Sequence, residues 1–168
     1  PESFAKLSGL AAKENCLIPV NAAVSHKSGV TEMYQTDLAD ASSLLKPIDL
    51  GGTLAKYQNV AGVIEVQTVR LDDEMHRLDI GGIDILKMDA QGAEIDVLNS
   101  LGSFLSERRI KVIYAEVAFI ELYEGAVFYH DLAKYLAAAG YKLHSFYDLV
   151  HRPDGSLAWG DAIFVQSL

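Results

Sequence analysis

Ile83-Asp84-Ile85-Leu86-Lys87-Met88-Asp89-Ala90-Gln91-Gly92-Ala93-Glu94 is the stretch whose reading decides the fold. Residues 83–88 are nearly continuous in apolar side chains, the pattern of a strand buried on both faces of a parallel sheet. Residues 89–92 turn. A helix then runs to about Leu101, with Ile95, Leu98 and Leu101 on one side and Gly102 past its end. Residues 110–117 read as a second buried strand. Asp131 is placed to cap a helix with an apolar stripe of Leu132, Tyr135, Leu136 and Ala139, which Gly140 ends. Residues 141–147 and 161–166 are strands joined through Pro153-Asp154-Gly155. Alternation of strand and helix followed by two strands predicts an α/β fold: a mostly parallel sheet covered by helices, with an antiparallel hairpin at its C-terminal edge.

Upstream of this block the pattern is looser. Residues 3–13 fit a helix in which Ser3 caps and Phe4, Leu7 and Ala11 share a face. Residues 17–24 are apolar and β-branched, so a strand that tolerates the missing N–H of Pro19. Residues 25–29 turn, and 30–36 and 63–71 read as strands. In the second of these Val63, Glu65, Gln67 and Val69 face one way and Ile64, Val66 and Thr68 the other. Residues 37–62 are rich in Asp, Ser and Gly without a period and read as a long loop.

With 168 residues and half of them hydrophobic, the chain can bury the core of a single domain spanning residues 1–168. Its formal net charge of −9 repels phosphate backbones and argues against nucleic-acid and anionic-membrane partners. A single cysteine, Cys16, excludes a disulfide framework within the chain. No apolar run reaches the roughly 20 residues of a membrane helix, and no signal peptide opens the sequence. These features fit a cytoplasmic setting. A homo-oligomer is left open.

Ligands of an open parallel sheet bind outside the carboxyl ends of its strands. That rule selects Asp89 with Ala90, Gln91 and Gly92 after one strand, and Glu116 with the loop carrying Tyr123 after the next. The connector before the last strand brings His151 and Trp159 toward the same rim, and Ser25 and His26 follow an earlier strand. A strand buried on both faces should hold no unpaired charge. Lys87 is therefore expected to pair with Glu94 or Glu116 and brace the turn. Lys87 and Glu94 read as structural support and Asp89 as a functional residue. A metal held by Asp72, Asp89 and Glu116 ranks below acid–base work, and no metal is expected.

The run from Asp84 to Glu94, followed by Val97-Leu98, resembles the central signature of FkbM-type S-adenosylmethionine-dependent methyltransferases. Val69-Arg70-Leu71-Asp72, Ala115-Glu116, Tyr123-Glu124-Gly125 and Asp161-Ala162-Ile163-Phe164-Val165 add to the likeness, as do Pro1-Glu2-Ser3-Phe4 and Ala22-Ala23-Val24-Ser25. The resemblance implies a Rossmann-like fold of strand order 3-2-1-4-5-7-6 and methyl transfer to the hydroxyl of a small molecule or sugar. Residues 83–88 would then be the fourth strand. For such a transfer Asp89 is the first candidate for the catalytic base or orienting group and Glu116 the next, with Ser25, His26, Asp89 and Ala90 expected against S-adenosylmethionine. Tyr123, His151 and Trp159 would form the acceptor rim. The family's glycine-rich loop and the acidic residue of its second strand have no counterpart here. The chain thus reads as a truncated domain lacking the first two strands, with weak or absent cofactor binding on its own. A non-catalytic binding module is the alternative reading, and an aspartate phospho-receiver a more distant one.

Overall fold

A computed structural model of the chain describes residues 2–14, 16–51 and 58–167. In chain order its elements are α1 (Glu2–Ala11), β1 (Ala23–Val24), β2 (Gly29–Thr36), a 3-10 turn (Ala39–Ala41), β3 (Val60–Val69), α2 (Leu71–Arg77), β4 (Ile83–Met88), α3 (Glu94–Asn99), α4 (Ser103–Ser106), β5 (Ile110–Ala118), α5 (Tyr129–Ala138), β6 (Tyr141–His151) and β7 (Leu157–Gln166). The fold is α/β, as expected.

The strands form two mixed sheets rather than one mostly parallel sheet: β1-β3-β2, and β4-β5-β7-β6. Among the strands of the described residues, β1 with β3 and β4 with β5 pair in parallel. The pairings β2 with β3, β5 with β7 and β6 with β7 are antiparallel. The reason lies at the C-terminus: β7 inserts between β5 and β6, so one reversed strand creates two antiparallel contacts. The expected closing hairpin is present as β6–β7, and the order of the second sheet is that of the last four strands the resemblance implies. β1 lies in the other sheet, so the arrangement extends no further among the described residues.

Residues Ile113, Ala115 and Val117 alternate inward along β5 and pack with Leu98 and Leu101 after the turn, Phe104 and Leu105 of α4, Leu132 and Leu136 of α5, and Phe164 of β7. Tyr141 is also buried there, and its hydroxyl donates to the carbonyl of Ile110 at 2.7 Å. Fully burying such side chains contributes roughly 1.5–3 kcal/mol each, and this core holds the mouths of β4 and β5 side by side.

Four local expectations change. Of residues 17–24 only Ala23 and Val24 form a strand, and Leu17, Ile18 and Val20 are exposed. Leu71 opens α2 instead of ending a strand, with Asp72, Asp73 and Glu74 in its first turn and His76 and Arg77 in its last, an order that suits the helix dipole. α5 starts at Tyr129 behind Phe128, so Asp131 sits in the first turn and is not the cap. β4 is an edge strand, not one buried on both faces: Ile85 is 66% exposed. Residues 52–57 of the expected long loop lie outside the described residues. The rest of that loop includes the 3-10 turn and bridges from Ser43 to Tyr34 and from Pro47 to Tyr123.

Candidate active site

The site grows from the turn after β4. Gln91 has φ +49° and Gly92 φ +93°. A Cβ on Gly92 would come within 2.8 Å of the Ala126 Cβ, so glycine here lets the β5–α5 loop close on the turn. Glu94 curls back and accepts from the backbone N–H groups of Ala90 (3.1 Å) and Gly92 (3.3 Å). It is 4% exposed, and burial raises its carboxyl above the ordinary range despite those donors. Glu94 ties the turn together through these two bonds, without Lys87. The ammonium of Lys87 lies 3.6 Å from Asp89 and 3.9 Å from Asp161 and over the Tyr114 ring. This corrects the expected pairing with Glu94 or Glu116; on an edge strand the long side chain reaches solvent and the neighbouring carboxylates instead.

Gln91 ties the two strand mouths together. Its Nε2 donates to Asp89 Oδ1 at 2.6 Å and to Glu116 Oε2 at 3.0 Å. Its Oε1 is 2.6 Å from the hydroxyl of Tyr123, which also lies 2.9 Å from the carbonyl of Ala41. Its backbone carbonyl accepts from Ser43 Oγ at 2.8 Å. The orientation of the amide is dictated by these partners, since turning it over would set its oxygen against two carboxyl groups. Residues from four segments thereby meet around one side chain.

Glu116 is the most perturbed carboxyl of this group. Burial, then the negative charges of Asp89, Glu94 and Asp161, push its pKa up to about 7, with Lys87 opposing. Burial and the same acidic surroundings also raise Tyr123 well above the usual phenol range. Tyr114 is pushed up to about 12, chiefly by its 2.7 Å hydrogen bond to Asp161.

Two cavities open on either side of Asp89. One, of about 330 Å³, is lined by Asp40, Gln58, Asp89, Glu116, Tyr123 and Trp159 among others. The other, of about 310 Å³, reaches from β1 to β4 and is lined mainly by apolar side chains such as Val24, Met33, Leu44, Leu86 and Met88, together with Ser42, Ser43, Lys87 and Asp89. Of the rim residues read from sequence, Tyr123 and Trp159 reach the first cavity, whereas His151 ends β6 exposed and lines neither. Ser25 and His26 also line neither. Ser25 Oγ donates to Asp96 at 2.7 Å, and the backbone N–H of His26 does so at 3.2 Å, while the His26 ring contacts the other oxygen of Asp96. Asp72 is held by Arg70. No group of three or more potential metal-binding side chains gathers among the described residues, and no helix among them is long and apolar enough to cross a membrane.

Sequence reasoning missed Gln58, Asp40 and the Tyr114–Asp161 pair. Gln58 and Asp40 fall in an aperiodic stretch that offers no signal, while Tyr114 and Asp161 become neighbours only through the β5–β7 register.

A mixed α/β domain with paired carboxyl groups at adjacent strand mouths is consistent with the methyltransferase class. The chain belongs to the family defined by the methyltransferase FkbM domain, whose model matches residues 1–143. It is 36% identical over 112 residues to the 2-O-methyltransferase NoeI of Sinorhizobium fredii (strain NBRC 101917 / NGR234), covering 61% of this chain and 44% of that protein. The match thus spans less than half the length of this relative. No solved structure matches the chain.

Proposed function

We propose that this chain carries the acceptor side of an S-adenosylmethionine-dependent O-methyltransferase acting on a hydroxyl of a neutral small molecule, such as a sugar. The observation that carries the reading is Glu116, a partly buried carboxyl whose pKa is pushed up to about 7, in the wall of a 330 Å³ cavity, in a chain of a methyltransferase family. The relative's name as a 2-O-methyltransferase supports oxygen as the accepting atom.

The residues at hand do not make a full seat for the cofactor. Ser25 and His26 are already bonded to Asp96, and the groove beside Asp89 is walled mainly by apolar side chains. A ribose diol and an amino-acid head group need several polar partners. Binding of the donor by this chain alone is therefore weak or absent in this proposal.

An alcohol that becomes an ether gives up its proton. A base is most effective when its pKa lies near the working pH, which favours Glu116 as the acceptor of that proton. Asp89, half-exposed and held by Gln91 and Lys87, suits an orienting role toward the same hydroxyl. This reverses the order in which the sequence ranks the two. Carboxyl groups around the cavity disfavour an anionic acceptor, and the chain's net charge of −9 disfavours nucleic acid. The same acidic charge and the single cysteine support a cytoplasmic setting.

The test is methyl transfer by the full-length protein from labelled S-adenosylmethionine to a panel of neutral sugars, alongside calorimetry of the donor with this chain. Transfer to a sugar hydroxyl is expected. No transfer by a protein shown to bind the donor would favour the binding-module reading. Tight stoichiometric donor binding by this chain would overturn the assignment to the acceptor side alone.

A further inference from the structure

Gln58, just before β3, is 6% exposed and lines the same cavity as Asp89 and Glu116. Its Oε1 accepts from the backbone N–H of Leu50 at 3.2 Å. That bond fixes the orientation of the amide, because turning it over would set its NH₂ group against another donor. The Nε2 is thereby the end left over, and it is buried without a hydrogen-bond partner among the described residues. No other buried side-chain nitrogen or oxygen among them is in this position. Nearly all such groups in folded proteins are paired, and an unmade one is costly to keep. A donor retained in the wall of a binding cavity is accounted for when a ligand supplies the missing acceptor.

We propose that Gln58 is a specificity-determining residue whose Nε2 donates to a hydroxyl or ether oxygen of a neutral, polyhydroxylated acceptor. The chemistry of the cavity sets that class. Asp40, Asp89 and Glu116 can each accept from a hydroxyl, and Leu122, Val150 and Trp159 add apolar side chains to the same lining. A phosphate or carboxylate would satisfy Gln58 but would meet the three carboxyl groups. A polyol satisfies both sets of partners at once. Sites built to hydrogen-bond a substrate oxygen discriminate strongly, since a ligand lacking that oxygen leaves the protein group unpaired.

The inference rests on the acceptor-side reading, and its test is separable from that reading. The side-chain amide signals of Gln58 in the ¹⁵N-labelled chain, assigned by their loss in Gln58→Met, are followed during titration with methyl α-glucopyranoside, myo-inositol and glucose 6-phosphate. At least one neutral polyol is expected to shift them, and the phosphorylated sugar is not. Gln58→Met should bind that polyol roughly tenfold more weakly while melting close to the parent chain: it removes the unpaired donor and leaves no void, and the Leu50 N–H it frees belongs to an exposed residue that water can reach. Gln58→Glu keeps an acceptor for Leu50 and loses the donor once its carboxyl is ionised, so it should lose the polyol as pH rises through that titration, a dependence the parent chain lacks. Gln58 signals unmoved by either polyol, or undiminished binding in Gln58→Met, would overturn the proposal. Methyl transfer with an acceptor KM indifferent to Gln58→Met would sink this inference and leave the proposed activity standing. Polyol binding through Gln58 without any transfer would do the reverse.

Discussion

On the β1 side of Asp89 the polar groups are committed to one another, whereas on the β5 side they are gathered and held apart by an amide. Asp96 takes the Ser25 hydroxyl, the His26 backbone and the His26 ring, and the adjoining groove is left mainly to apolar side chains. Across the turn, Asp89, Glu94, Glu116 and Asp161 act on one another electrostatically, with Gln91 between two of them and Gln58 holding a donor in reserve. Ion pairs at a half-exposed surface contribute little to stability or chemistry. Like charges crowded around a buried carboxyl shift its pKa toward neutrality, as catalytic acids and bases require. The contrast supports the proposed placing of the chemistry on the β5 side.

The strongest way to break this contrast is Glu116→Gln in full-length, active protein. If Glu116 is the base, kcat should fall on the order of 10²–10⁴-fold. The parent rate should climb as pH rises through about 7, where Glu116 loses its proton, and the variant should lose that limb. A variant that keeps the limb places the base elsewhere.

The same group sets an opposite trend in stability. Its pKa rises from 4.5 unfolded to about 7 folded, so between those values the native state holds a proton that the unfolded state has released. Stability is then fully present below pH 4.5 and falls as pH rises to 7, by on the order of 2–3 kcal/mol. Glu94, raised by burial, adds to the same trend. Urea midpoints from pH 4.5 to 8 should show the decline, and Glu116→Gln should flatten it. A flat parent profile would mean that the crowding of carboxyl groups is relieved in solution.

How much of this was legible in the sequence follows from what each residue depends on. Lys87 through Glu94 could be placed because strand, turn and helix are encoded within a dozen neighbouring residues, and the two strand mouths followed from alternation. The apolar side chain of Leu71 extends the pattern of the strand before it, although Asp72-Asp73-Glu74 and His76-Arg77 mark a helix by charge. Pairing of Lys87 with Glu94 or Glu116 presumes a strand buried on both faces, and edge position is a property of the whole sheet. The role of Gln91 depends on Asp89, Glu116 and Tyr123 converging from three segments, which no local spacing encodes. Gln58 is legible only as an unmade bond, which a sequence does not contain.

Asp89→Asn should cost at least about tenfold in rate in the full-length protein. Its ring of partners predicts less than for Glu116: Lys87 and Gln91 already hold the carboxylate, and an asparagine keeps one oxygen to accept from Gln91 or from a hydroxyl. An unchanged rate would remove Asp89 from the mechanism. A loss as large as that of Glu116→Gln would make the two carboxyl groups a single unit rather than base and orienter.

The smallest effect is expected on the other side of the turn. Asp96→Ala removes contacts to Ser25 and His26 whose ring lies exposed, and solvent can replace most of them. Its cost should be about 1 kcal/mol or less, read as a shift in urea midpoint, with the titration of Glu116 unmoved because Asp96 is absent from the charges that act on it. α3 nevertheless begins at Glu94, which staples the turn, so a displacement of α3 could reach Glu116 through Gln91. If Asp96→Ala shifts the Glu116 midpoint, the two sides of Asp89 communicate through that helix. Ser25 and His26 would then belong to the working site by position rather than by contact.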